Sequence, residues 1–361
     1  MGKSTSAYIG CFLGLAVGDA MGYTVDELDW QTICENYGPN GLLGYDMQEE
    51  YAQVTSYTQI AAFVANGLLL GVTRGRRSEY LKFVEIALRE WHKRQHFPRS
   101  PDKSWCWVAQ KPELRRRCCR DAWMMDALRF EQLGTMERLI NNSDAPGAIL
   151  AAAAVALFFD MKRMEPEQVG ELTAKIVAMT HGNPDAYLSA VVLAYALTGI
   201  LHEPEQPLQE QFLQAAQVMA GQFGDKFVRA KGLAASVKAA VELAQQEDQD
   251  HRQNMENFQC SSASECLCAA MYASLVRSED FDSAMILAVN HSGRSGAVGG
   301  ITGAILGAKL GQEALPDFYL ESLEPIETLR QLAQDLAVGS PATGFFDDAW
   351  DQKYTHGNPL S

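Results

Sequence analysis

"VNHSGRSGAVGGITGAILGAKLG", residues 289–311, decides the fold. Its second half repeats glycine every four residues, at Gly299, Gly303, Gly307 and Gly311, between Ile301, Ile305 and Leu306. A four-residue step returns close to the same face of an α-helix each time. Glycine costs roughly 1 kcal/mol per helical position relative to alanine. Four such positions on one face predict compensation, because a missing Cβ lets another backbone approach closely. A second ladder, Gly10, Gly14, Gly18 and Gly22, lies in "GCFLGLAVGDAMGYTVDE", residues 10–27. Both ladders predict tight helix packing in the core. The loop before the first ladder carries a cation, Arg294, and its purpose is the chemical question the chain poses.

Outward from these stretches the periodicity stays helical. "SEYLKFVEIALREWHKRQ" places Leu81, Val84, Leu88 and Trp91 at three- and four-residue steps. "APGAILAAAAVALFFDM" opens on Pro146, a good first-turn residue, after Asn, Ser and Asp capping candidates. That segment, "DAYLSAVVLAYALTGIL" and "SECLCAAMYASLVRS" are apolar all round, as in helices buried inside a bundle. "EPEQPLQEQ" reads as a loop entering a polar helix, and "QQEDQDHRQNMEN" as a solvated helix or loop. Alternating β-branched runs are scarce and no Pro/Gly/Ser linker divides the chain. The expected fold is all-α, a compact orthogonal multi-helix arrangement forming a single domain over residues 1–361.

Of 361 residues, 47 % are hydrophobic and 21 % charged, a globular rather than a disordered composition. The formal charge of −15 repels phosphate backbones, so nucleic acid is not an expected partner. A small anion in a locally basic pocket stays compatible with it. No apolar run reaches the roughly 18 residues that cross a bilayer, so no membrane is expected. The eight cysteines are thinly spread and read as reduced thiols in a cytoplasmic protein. "CSSASECLC" groups Cys260, Cys266 and Cys268, short of the four ligands of a structural zinc site. "MGKSTS" fits a loose acylation pattern without a second anchor, and its "GKST" lacks the upstream glycine of a phosphate loop.

The pattern Gly14-x-Ala16-x-Gly18-Asp19-Ala20-x-Gly22 resembles the N-terminal signature of the ADP-ribosylglycohydrolase family, which includes enzymes that remove ADP-ribose from arginine. An acidic residue follows the signature in that family, and Asp26 or Glu27 stands there. "VTSYTQIAAFVANGLL" is similar to the family's Thr-Asp-Asp helix start, "MTHGNPDAYLSAVVLAYAL" to its Thr-His segment, and "AVNHSGRSGAVGG" to its Asp-x-Asp-Thr segment. "WDQKYTHGNPL" near the C-terminus is similar as well. The resemblance implies an all-α fold with a central cleft that normally holds two magnesium ions. It implies that their oxygen ligands come from the Thr-Asp-Asp and Asp-x-Asp-Thr segments.

At those segments this chain has Thr55-Ser56-Tyr57 and Arg294-Ser295-Gly296-Ala297. Every carboxylate is gone and a guanidinium has arrived. Magnesium requires hard oxygen ligands, usually with one or two carboxylates, and arginine stays charged at all accessible pH. The expectation is therefore no metal, no magnesium cofactor, and a fold that has lost the family's hydrolysis. Thr55, Ser56, Tyr57, His181, Asn290, Ser292, Arg294 and Ser295 are the expected ligand-binding residues. Two readings of Arg294 stay open. It either binds an anion at a helix N-terminus or pairs with Asp19 or Asp26 and fills space.

Candidate partners are an ADP-ribose-like small molecule or an ADP-ribosylated protein. Two alternatives remain: a metal-independent hydrolase of an ADP-ribosyl or other N-glycosidic bond using the carboxylates of Asp19 with Asp26 or Glu27, and an interaction scaffold without a small ligand. His181 is a cleft-edge candidate or a structural histidine. His92 and His96 share one helix face but read as a solvated helix end. Arg115, Arg116, Arg117 and Arg120, with Cys118, Cys119, Trp105, Trp107 and Trp123, read either as a clamp for a base and phosphates or as an exposed face with tryptophans reaching the core.

Overall fold

The two glycine ladders face each other. The helix Thr5–Tyr23 and the helix Ser295–Leu310 run antiparallel, with Gly10 against Gly307, Gly14 against Gly303, and Gly18 against Gly299. A Cβ added at any of these glycines would come within 3.0 Å of the opposite backbone carbonyl. At the end of the row Gly22 packs on the Ser295 carbonyl, so the glycine seam ends where Arg294 begins.

The computed structural model describes residues 4–47, 50–76, 79–99, 104–119, 121–159, 164–338 and 348–355. Arg120, Gly2 of the acylation pattern and residues 356–361 of the C-terminal segment lie outside them. Among the described residues there are seventeen α-helices and no strand, with one isolated parallel bridge joining Ala52 and Leu323. The all-α expectation holds. One hydrophobic cluster gathers residues from Tyr8 to Tyr354, including the helices that are apolar all round.

One of these, Pro184–His202, corrects the reading that no segment suits a bilayer. By length and composition it could cross one, but 78 % of its most apolar window is buried inside the fold. It packs on the helices Pro166–Ala178, Leu208–Phe223 and Ala151–Phe158. The alanine-rich segment also departs from its expected start. Pro146 opens a short 3-10 turn ending at Ala148, and the α-helix begins at Ala151. The residues expected to cap it are thereby left in an extended loop, which forms one wall of the cleft described next.

Helix starts follow local chemistry. Asn183 caps Pro184–His202 through its side chain, and Ser262 with Glu265 forms a reciprocal capping box on Ala263–Val276. The polar "QQEDQDHRQNMEN" stretch yields the short helix His251–Asn257, capped by Asp250.

Candidate functional site

The start of the helix Ser56–Thr73 lies beside the end of Thr5–Tyr23, and a single carboxylate holds them together. Asp19, fully buried, accepts from the Thr55 amide at 2.9 Å and hydroxyl at 2.6 Å, and from the Thr58 amide at 3.1 Å and hydroxyl at 2.5 Å. It therefore caps that helix across the fold. Burial pushes its carboxyl above the usual range, while these four bonds pull the other way. Asp19 is not among the residues that line the cleft; it lies behind the wall, bonded to Thr55 and Thr58.

The cleft has a volume of about 530 Å³, within the ordinary range for ligand pockets. Tyr23, Asp26, Thr55, Ser56 and Tyr57 line one side, and Arg294 and Ser261 close it. Asp26 accepts from the Gly296 amide at 2.9 Å and so caps the glycine helix at the cleft wall. Burial raises the Tyr57 hydroxyl well above its usual value of 10.0, so the phenol stays neutral. Arg294 pairs with Glu27, with Nη1 at 2.6 Å from Glu27 Oε1. Burial works against its charge, but the acidic groups around it, among them the Glu27 and Asp26 carboxylates, outweigh it and leave the guanidinium more firmly protonated than usual.

The opposite side comes from a segment that carried no expected catalytic residue. Asp121 lines the cleft and caps the helix Ala122–Ala127 through the Met124 amide at 3.1 Å. Its other oxygen accepts from His181 Nε2 at 2.8 Å, and His181 Nδ1 meets the Thr180 hydroxyl at 2.8 Å. Burial would raise the Asp121 carboxyl, but the imidazole and the helix amides overcome it and hold it below the usual range. Gly147 makes room for this pair: a Cβ there would strike Asp121 Oδ2 and come within 3.1 Å of His181 Nε2.

Two polar braces position these walls. Asn141 accepts from the Gly182 amide at 2.9 Å and donates to the Thr180 carbonyl at 2.8 Å, pinning the 142–147 loop to the histidine segment. Gln95 accepts from the amides of Cys118 and Cys119 at 3.1 and 3.3 Å, and donates to Gln59 at 2.9 Å. Trp123, 56 % exposed, stands at the rim as an aromatic face open to solvent. Asn142, Ser143 and the exposed Asp144 complete the loop wall.

The expected residues divide clearly. Thr55, Ser56, Tyr57, Arg294 and Asp26 line the cleft together. His181 is fully buried behind Asp121. Asn290 is used up bridging the Leu42 backbone and the Ile286 carbonyl at 2.7–2.8 Å. Ser292 accepts from the Trp30 amide at 3.0 Å, and the buried Ser295 donates to the His291 carbonyl at 3.3 Å. Those three hold the loop rather than face the cleft. Glu27 sits outside the lining and pairs with Arg294.

Of the basic stretch, Trp123 and Cys118 reach the cleft, while Arg115 donates to the Ala109 and Gln110 carbonyls and Arg116 pairs with Glu324 at 3.4 Å. Trp107 is buried and donates to Tyr354 at 3.1 Å. Among the described residues of this stretch Trp123 reaches the cleft and none of Arg115, Arg116 and Arg117 lines it, while Arg120 lies outside the described residues. His92 and His96 meet at 3.2 Å at the helix end. None of the eight cysteines is in a disulfide. Among the described residues no group of three or more His, Cys, Asp or Glu side chains is placed to hold a metal ion.

The family model described as ADP-ribosylglycohydrolase matches residues 3–344. The chain belongs to the ADP-ribosylglycohydrolase family. A protein from Archaeoglobus fulgidus, described as uncharacterized, is 25 % identical to this ADP-ribosylglycohydrolase-family chain over 335 residues, covering 90 % of it and 94 % of the relative. A solved chain described as an ADP-ribosylglycohydrolase-related protein complex is similar at a TM-score of 0.57 and 23 % identity, covering 92 % of this chain and 97 % of that one. The structural likeness establishes the shared fold.

Proposed function

We propose that this member of the family binds a nucleotide-like anion, or the ADP-ribose group of a modified protein, in the cleft, without the magnesium pair and without the family's hydrolysis. The observation that carries the reading is Arg294 in the cleft wall beside Tyr57. A dinuclear dication site needs hard, mostly anionic oxygens. Here one former ligand segment supplies a neutral phenol and two hydroxyls, and the other a fixed positive charge. The cleft's carboxylates, Asp26, Asp121 and Asp144, come from other segments, and Asp26 and Asp121 are already bonded to the Gly296 amide and to His181, so the residues present do not fit the pair. They suit an anion better: a guanidinium offers a planar fork to phosphate oxygens, and Trp123 at the rim offers a face on which a base can stack. A cytoplasmic location belongs to this proposal, in keeping with eight cysteines that all stand as free thiols.

The test is calorimetry with ADP-ribose, with and without magnesium, beside an assay on ADP-ribosyl-arginine. Binding that is indifferent to magnesium, with no turnover, is the expected result. Turnover abolished by a chelator overturns the proposal.

A second reading, a metal-independent hydrolase, draws on Asp121, a carboxylate held ionised by His181 at the cleft wall. It requires turnover that persists with a chelator present and is lost in Asp121→Asn.

A further inference from the structure

The Arg294–Glu27 pair has an unusual frame. Glu27 holds a left-handed backbone, φ +66°, which residues other than glycine and asparagine seldom adopt. Its amide donates to the Gly293 carbonyl at 2.7 Å, and Gly293 itself has φ +113°. The Arg294 amide donates in turn to the Cys260 carbonyl at 2.9 Å. Backbone hydrogen bonds thus fix both partners, and the Glu27 carboxylate reaches Arg294 from a left-handed backbone position. Within the pair Glu27 is the outer member, 49 % exposed at its side chain against 28 % for Arg294. The inner member faces the cleft. Arginine has five donors, and among the described residues this one meets a single acceptor group, the Glu27 carboxylate.

We propose that Glu27 is a built-in competitor for the anion site: its carboxylate occupies Arg294 in the empty cleft and yields only to a ligand bringing two or more negative charges. The inference rests on the reading of the cleft as an anion site and adds what that site selects. A tethered carboxylate is present at high effective concentration. A monoanion offers Arg294 nothing that Glu27 does not already supply. A diphosphate brings more charge and more acceptor oxygens, enough to engage the idle donors as well as the contested one. Asp26, which also faces Arg294, adds repulsion that a weakly charged ligand must meet without compensation. Glu27 therefore sets a charge threshold and makes the cleft prefer diphosphates over carboxylates and singly charged ligands.

The experiment titrates the full chain with inorganic pyrophosphate, ADP-ribose and acetate by calorimetry, in the wild type, Glu27→Gln, Glu27→Gly and Arg294→Gln. Glu27→Gly also suits the left-handed backbone, so a folding defect in one Glu27 variant does not decide the matter. Both Glu27 variants are expected to bind pyrophosphate and ADP-ribose about three- to tenfold more tightly than the wild type, the scale on which a partly exposed ion pair competes. That gain should shrink as salt is raised, acetate should become detectable, and Arg294→Gln should lose binding. Wild-type binding of pyrophosphate that the Glu27 variants leave equal or weaker overturns the competitor and leaves the anion site standing. No binding of pyrophosphate or ADP-ribose by any of the four proteins overturns both.

Discussion

Gly303→Ala should destabilise the protein even though alanine is the better helix former. In the middle of the seam the new Cβ would lie within 3.0 Å of the Gly14 carbonyl and within 3.2 Å of the Leu15 amide. Both are backbone, so neither can rotate away. Restoring ordinary contact moves the two helices apart by on the order of 1 Å, and a gap of that size forfeits up to about half of each contact's attraction. The loss spreads along the row, because Gly299 and Gly307 share the same rigid partner. Overpacking of this kind costs about 1–3 kcal/mol, and the backbone nature of the clash places it at the upper end. Helix propensity returns roughly 1 kcal/mol. The net expectation is about 2 kcal/mol of destabilisation, read by urea unfolding. Gly221→Ala is the internal control. It makes the same chemical change in the helix Leu208–Phe223, where the added Cβ meets nothing within 4 Å, and it should stabilise by about 0.5–1 kcal/mol. Equal behaviour of the two variants refutes the argument that the ladders pack backbone to backbone.

Three further outcomes are expected. Asp19→Ala strands the buried amides and hydroxyls of Thr55 and Thr58 and should cost about 3 kcal/mol in denaturant unfolding. The Asp121 carboxyl is held below its ordinary 3.8, so its contribution is complete above that value and is lost as the pH falls through the lower folded value. Asp121→Asn should accordingly be less stable than the wild type at neutral pH and lose less on acidification, measured as melting temperature against pH. Trp123→Ala, at an exposed position, should leave the melting temperature nearly unchanged but weaken ADP-ribose binding about five- to hundredfold, since base stacking contributes about 1–3 kcal/mol.

The helices were legible because apolar periodicity and capping residues are local signals, and the glycine ladders were legible as faces that need a close partner. Their pairing with each other was not, because two ladders separated by most of the chain carry no mark of register. The segment Thr55–Tyr57 and Arg294 were readable as cleft residues through the family pattern. The place of Asp19 was not legible: a carboxylate inside a signature looks the same whether it lines a cleft or holds a distant helix start, and its bonds to Thr55 and Thr58 appear only in the fold. Asp121 was missed for the opposite reason. In sequence it is one acid next to an arginine-rich run, and its partner His181 lies sixty residues away. Pro146 pointed to a helix start, but the 3-10 turn it opens left the preceding polar residues free to build a wall.

The seam between Thr5–Tyr23 and Ser295–Leu310 also orders events in time. A nascent chain leaving the ribosome presents its first helix early, with a bare glycine face that finds its complement only after residue 295 has been made. Until then neither Asp26 nor Glu27 has the backbone it engages, since Gly296 and Gly293 belong to that late segment. Contacts this distant in sequence form slowly. Truncation before residue 294 would therefore disarm the cleft from the far side, leaving most helices able to form but the proposed anion site without its arginine.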